Sequence, residues 1–166
     1  MSWFVLIVAV LAAVVVLGGL FLLATANRLD RLHVRLDAGW AALDAALARR
    51  AVVARAVAAG TLTGDPASCL RHAADAAETA PRADREATEN ELTKLLGQIG
   101  RAELPPRLAD ELADAEQRVV IARRVHNDAV RDTLTLRRRR KVRYFKLAGT
   151  APTPEYFEIA EPDPAT

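Results

Sequence analysis

No ionisable side chain occurs in the first 26 residues, and from Trp3 to Leu23 almost every residue is apolar (WFVLIVAVLAAVVVLGGLFLL). At about 1.5 Å of rise per residue, such a helix spans roughly 32 Å, close to the hydrocarbon thickness of a bilayer. A helix also satisfies every backbone N–H and C=O internally, as lipid requires. A core helix of a soluble domain would carry a polar face and a shorter apolar run. The segment therefore predicts a transmembrane anchor over residues 1–26.

Ala24-Thr25-Ala26 has the form of a signal-peptidase site, so a cleaved leader is the alternative. Against cleavage, no Lys or Arg precedes the apolar run, and the run exceeds the usual length of a signal core. Basic residues follow the segment at Arg28, Arg31 and Arg35. The positive-inside rule then puts the N-terminus outside and the remaining residues in the cytoplasm of the cell membrane. The lone cysteine, Cys69, suits a reducing compartment.

The net charge of +2 identifies no partner, but its distribution is uneven. Residues 27–60 carry six bases and three acids, whereas 61–104 carry five and eight. Residues 137–148 hold seven bases and no acid, and 149–166 hold four acids and no base. Alanine is abundant, and no β-branched or aromatic cluster bounded by turn residues follows residue 26. The composition predicts an all-α fold.

Leu29, Leu32, Leu36, Trp40, Leu43, Leu47, Val53 and Val57 recur at helical spacing. No proline intervenes before Gly60, so the anchor is expected to continue into the first cytoplasmic helix, with Asn27 as a site for a bend. A turn at 60–64 precedes Asp65-Pro66, read as cap and first helical residue of a helix reaching Thr79. Its small apolar stripe is Cys69, Leu70, Ala73 and Ala77. A further helix over 82–100 turns Leu92, Leu95, Leu96 and Ile99 inward. The last opens at Pro105-Pro106, carries Leu108, Leu112, Ala115, Val119, Ala122, Val125 and Ala129, and is expected to end near Leu147 before Gly149. Together they predict an antiparallel up-and-down four-helix bundle over 27–148. A Pro-rich acidic tail over 149–166 is expected to be extended, and mobile beyond Phe157. Whether the last helix returns to the membrane depends on whether 66–100 forms two antiparallel legs or one.

Two stretches carry a resemblance. Asn27-Arg-Leu-Asp-Arg-Leu, Trp40, Leu43-Asp44 and Leu47-Ala-Arg49-Arg50 are similar to the opening signature of the LemA family. Leu108, Glu111-Leu112, Glu116 and Arg123-Arg124-Val-His-Asn127, with Val130, resemble the family's later segment, and Tyr156-Phe157-Glu158 its closing aromatic-Phe-Glu. His126 stands where the family has Tyr, Leu134-Thr135 replaces a second Tyr-Asn, Val53-Ala54-Arg55 replaces Pro-Asn-Leu, and a Phe-Pro after the last helix is lost. The resemblance implies a divergent member: a membrane-anchored antiparallel helical bundle, with no activity implied.

Cys69-x-x-His72 offers two metal ligands where a structural zinc site needs four, and His33 and His126 are remote. No nucleophile triad, phosphate loop or His-Glu-x-x-His motif appears, so neither an enzyme nor a cofactor is expected. Trp40 reads as core. Asp44 facing Arg123 or Arg124 is a candidate interhelical ion pair, and Arg49, Arg50, Glu116 and Asn127 are further candidates for interhelical polar contact. Arg137, Arg138, Arg139, Arg140, Lys141 and Arg143, with Lys146, repel one another unless anions are near. Anionic lipid headgroups, a protein partner, or the acids of 155–163 or 84–91 are the candidate counter-charges. Nucleic acid is not expected, because interleaved aromatics and a reader fold are missing. The expectation is a single-pass, non-catalytic interaction or scaffolding module, with homo-oligomerisation open. The alternative is an adaptor or regulatory subunit of a membrane protease or transporter.

Overall fold

The computed structural model describes residues 2–145 and 152–160. Among them are five α-helices and no strand: α1 (Ser2–Gly60), α2 (Gly64–Thr79), α3 (Arg85–Gly97), α4 (Pro106–Arg137) and α5 (Arg140–Tyr144). A 3-10 turn, Arg101–Glu103, precedes α4. α1 is one unbroken helix through Asn27, as the lack of proline predicts. Its N-terminal part is long and apolar enough to cross a membrane, and none of that apolar window is buried against the rest of the chain. Trp3 is 85 % exposed and Leu17 66 %.

The chain divides into two compact units. One comprises Met1–Asp37 with Ala129–Glu155, the other Ala38–Asp128 with Tyr156–Thr166.

In the second unit, Ala51, Val53, Ala54, Val57 and Ala58 of α1 meet Leu70, Ala74 and Ala77 of α2, Leu92 and Leu96 of α3, and Leu112 and Ala115 of α4. Small side chains on α1 and α2 let the axes close up, while leucines from α3 and α4 fill the remaining space. A neighbouring cluster joins Leu43, Leu47 and Val119 to Phe157 of the tail. α1 and α4 approach closely at Gly39, where a Cβ would lie 3.3 Å from the Cα of His126.

Several expectations are corrected. α2 begins at Gly64 after Thr63, and Gly64 takes a φ of +66°, so the turn uses glycine where Asp65 was expected to cap. The buried line of α2 is Ala67, Leu70, Ala74 and Ala77. Cys69 precedes Leu70 by about 100° of helical rotation and is exposed. Residues 82–84 form a turn closed by the Asp84 N–H on the Pro81 carbonyl (3.0 Å), so α3 is shorter than 82–100. It frays through the Gln98 N–H on Leu95 and the Ile99 N–H on Leu96, both at 3.2 Å, beyond the weak helix former Gly97. On α4, His126 takes the inward place opposite Gly39, and Val125, one position earlier, is 47 % exposed.

α4 stops at Arg137, well before Leu147, and α5 restarts at Arg140. The Arg139 N–H bonds Leu136 at 3.1 Å, a tightened last turn. Like charges three and four apart disfavour continuing the helix, whereas cations at its C-terminus complement its dipole. The break also has a packing cause in the first unit. Leu136 and Val142 are both buried in one apolar cluster with Leu29. On one continuous helix, residues six apart would point about 120° away from each other. Lys146, Leu147, Gly149 and the Lys141 side chain lie outside the described residues, as do 161–166 of the tail.

Residues 152–160 form no helix or strand, and residues 158–160, part of the stretch expected to be mobile, are docked. Phe157 is buried, and the N–H groups of Glu158 and Ala160 donate to Glu86 and to Asn90 of α3, each at 2.8 Å.

Candidate functional site

Each unit holds a polar constellation. In the second unit, the apolar line Leu43, Leu47, Ala54 of α1 is interrupted by Arg50, which is 1 % exposed. The line Leu92, Leu96 of α3 is extended backward by Glu89, which is fully buried. The Arg50 guanidinium donates through Nη2 to Glu89 Oε2 (2.5 Å) and the Glu89 carbonyl (3.2 Å), and through Nη1 to Thr93 Oγ1 (3.0 Å). Arg85 Nε reaches the other Glu89 oxygen at 3.3 Å, and Arg85 Nη2 pairs with Asp44 at 2.9 Å. Asp44 therefore takes its counter-charge from α3, whereas Arg123 or Arg124 of α4 was the sequence expectation. Arg123 is half-buried and Arg124 exposed.

Glu116 accepts from Arg101 Nη2 at 2.6 Å. Asn127 clamps the tail backbone: its Nδ2 donates to the Phe157 carbonyl (3.0 Å), and its Oδ1 accepts from the Phe157 N–H (2.9 Å). One side-chain amide thus does for Phe157 what a neighbouring strand would do. The ring of Phe157 meets Trp40 edge-on at 5.7 Å, His126 meets Trp40 at 5.5 Å, and the Arg82 guanidinium stacks 3.9 Å from the Trp40 ring centre. Trp40 is half-buried against this cluster.

Arg49 is exposed and borders a shallow α1–α4 groove. On that groove the Arg118 hydrogen bond holds the Asp114 carboxyl below its ordinary value, with Arg49 adding to the effect, and Asp114 raises Arg118 in return. The Arg55 guanidinium is likewise raised, chiefly by its hydrogen bond to Glu78. Cys69 and His72 are both exposed, and among the described residues no three His, Cys, Asp or Glu side chains converge to hold a metal.

In the first unit, the α4–α5 break comes against the last turns of the apolar segment. Phe21, Ala24, Thr25 and Arg28 of α1 with Leu136, Arg139, Arg140 and Val142 line a pocket of about 480 Å³. Thr25 Oγ1 donates to the Phe21 carbonyl (2.9 Å), so the hydrogen-bond donors left at the pocket are guanidinium groups. Arg28, Arg139, Arg140 and Arg143 are exposed, and none forms an ion pair among the described residues. Arg137 Nη1 donates to the Pro152 carbonyl at 2.7 Å, and Arg138 is exposed. Arg35 pairs with Asp132 at 3.3 Å.

Sequence reasoning missed Arg85, Glu89, Thr93 and Gly39. The signals were present: a charged residue in register with an apolar stripe, and a glycine inside a helix at about 1 kcal/mol relative to alanine. Compared with known proteins, the chain matches no family model, no curated protein and no solved structure.

Proposed function

We propose that this chain is a single-pass protein of the cell membrane, N-terminus outside and helical units cytoplasmic, acting as a non-catalytic interaction or scaffolding module. The observation that carries the reading is α1: apolar side chains exposed on every face from Trp3 to Leu23, continuous with a helix that supplies half a core. In water that surface is untenable; in lipid it is the ordinary surface of a spanning helix. The buried charged side chains Arg50 and Glu89 pair with each other, and Asn127 is engaged by the Phe157 backbone, which supports a structural over a reactive role.

An antiparallel up-and-down arrangement of α1 to α4 belongs to this proposal. Its support is the short connections 61–63 and 80–84 and the core shared by all four helices. So does divergent membership of the LemA family. Trp40, Arg50, Glu116, Asn127 and Phe157, which carry that resemblance, all make internal contacts here and read as a common framework.

The expected outcome is that the protein stays with membranes through alkaline carbonate extraction; release would sink the anchor. The exposed native Cys69 gives the orientation directly. An impermeant thiol reagent should label it only after permeabilisation, and labelling in intact cells overturns the topology. Crosslinking in native membranes should yield self-associated or several-partner species. A single stoichiometric partner would instead favour the adaptor reading.

A further inference from the structure

We propose that the pocket between the end of the apolar segment and the α4–α5 break binds the phosphate group of an anionic membrane lipid. The inference rests on α1 spanning a bilayer. Three observations converge on it. The pocket lies at the right level: Phe21 and Ala24 belong to the last turns before the first charged residue of the chain, Arg28. Its lining is amphiphilic, with Phe21, Ala24, Leu136 and Val142 as apolar wall and Arg28, Arg139 and Arg140 as cations. Those three arginines face no acidic partner among the described residues.

A lipid meets each requirement at once. Its acyl root lies on the apolar wall, and its phosphate oxygens accept from guanidinium forks, whose planar geometry suits bidentate phosphate contact. The break in α4 is what makes the site. It brings Leu136 and Val142 into one apolar cluster with Leu29 and leaves Arg139 and Arg140 lining the same pocket as Arg28. A free anion such as inorganic phosphate shares the polar half of this chemistry but leaves the apolar wall unoccupied.

The test uses the full chain reconstituted in phosphatidylcholine bilayers with spin-labelled phosphatidylglycerol, and spin-labelled phosphatidylcholine as reference. Each guanidinium near an anionic headgroup is worth about fivefold in lipid affinity. With three guanidinium groups at the pocket, the wild-type chain should therefore prefer phosphatidylglycerol by well over fivefold, and Arg139→Gln with Arg140→Gln, which leaves Arg28 alone, should bring the ratio down to about fivefold or less. Arg139→Lys with Arg140→Lys should retain most of the preference, and Arg107→Gln on exposed α4 surface should retain all of it. Unchanged helicity by circular dichroism excludes misfolding as the cause of a loss. Equal association of both lipids with the wild-type chain overturns the lipid site while leaving the anchor intact. Failure to incorporate into the bilayer at all overturns the anchor and the site together. Loss of preference when inorganic phosphate replaces chloride at equal ionic strength identifies a soluble-anion site and also overturns the proposal.

Discussion

Removing the charge of Glu89 should destabilise the protein more than removing the charge of Arg50, although the two form one ion pair. Among the described residues Glu89 is the only carboxylate paired with Arg50, whose side chain is 1 % exposed, whereas Glu89 is also approached by Arg85. Glu89→Gln therefore leaves a buried guanidinium with neutral partners only, the situation that costs about 3–5 kcal/mol. Arg50→Met leaves Glu89 facing Arg85, a pair that remains neutral overall, so its cost is expected nearer 1–3 kcal/mol, about that of an unmade buried hydrogen bond. Replacing both, as Arg50→Met with Glu89→Met, leaves neither charge behind. Arg85 keeps Asp44 and the carbonyls of Glu78 and Ala80 (3.2 and 3.4 Å), and Thr93 keeps the Glu89 carbonyl at 2.9 Å. The double variant should recover most of the loss, because apolar replacement of a buried pair is often neutral or stabilising. Thermal unfolding of the full chain in mild detergent, followed by far-ultraviolet circular dichroism, reads the effect. For a chain of this size about 2–4 °C accompanies each kcal/mol, so Glu89→Gln should lower the midpoint by roughly 10 °C. A Glu89→Gln midpoint within about 2 °C of wild type, or a double variant as unstable as the two losses added, would refute the reasoning.

Trp40→Ala removes the ring on which Phe157, His126 and Arg82 converge, and should cost about 3–5 kcal/mol in the same assay; an unchanged midpoint would make Trp40 a surface residue. Asn127→Ala deletes two hydrogen bonds to Phe157 worth about 1 kcal/mol each, so exchange of the Phe157 amide should accelerate roughly 30-fold while amides of α2 keep their rates. Because Arg118 holds the Asp114 carboxyl below its ordinary value, this pair stabilises above the unfolded aspartate pKa and loses that contribution as pH falls through the lower folded value. The midpoints of wild type and Asp114→Asn should converge on acidification; a gap that widens contradicts the assignment.

The helical content and the long α1 were legible because hydrophobic periodicity and the absence of proline act locally. Phase within a stripe was less so. Cys69 and Val125 sit one position from a buried residue, and which neighbour turns inward was set by close approach, as at Gly39 against His126. The break after Arg137 was signalled by the crowded cations, but its position goes with Leu136 and Val142 joining one cluster with Leu29, a contact across distant sequence. Arg50 was recognised as an interhelical candidate, yet its partner was assigned to no helix. An ion pair is written in register with two stripes and cannot be paired from either alone. The docking of residues 158–160 was not legible because the anchors of this segment, Asn127, Glu86 and Asn90, lie on α3 and α4 and have no local signature in a Pro-rich acidic segment.

The docking of residues 157–160 gives the second unit a built-in peptide ligand. Three of its contacts read only main-chain amides, at Phe157, Glu158 and Ala160, so side-chain identity matters chiefly at Phe157 and Ile159, which enter the apolar slot. Any other segment presenting a phenylalanine in register would have to compete against a sequence tethered to the same chain. Tethering is equivalent to a local concentration of about millimolar order, so a foreign peptide must bind well above ordinary affinity or arrive after the tail has been cut. Proteolysis upstream of Phe157 is then the event that would turn a self-occupied slot into a vacant receptor.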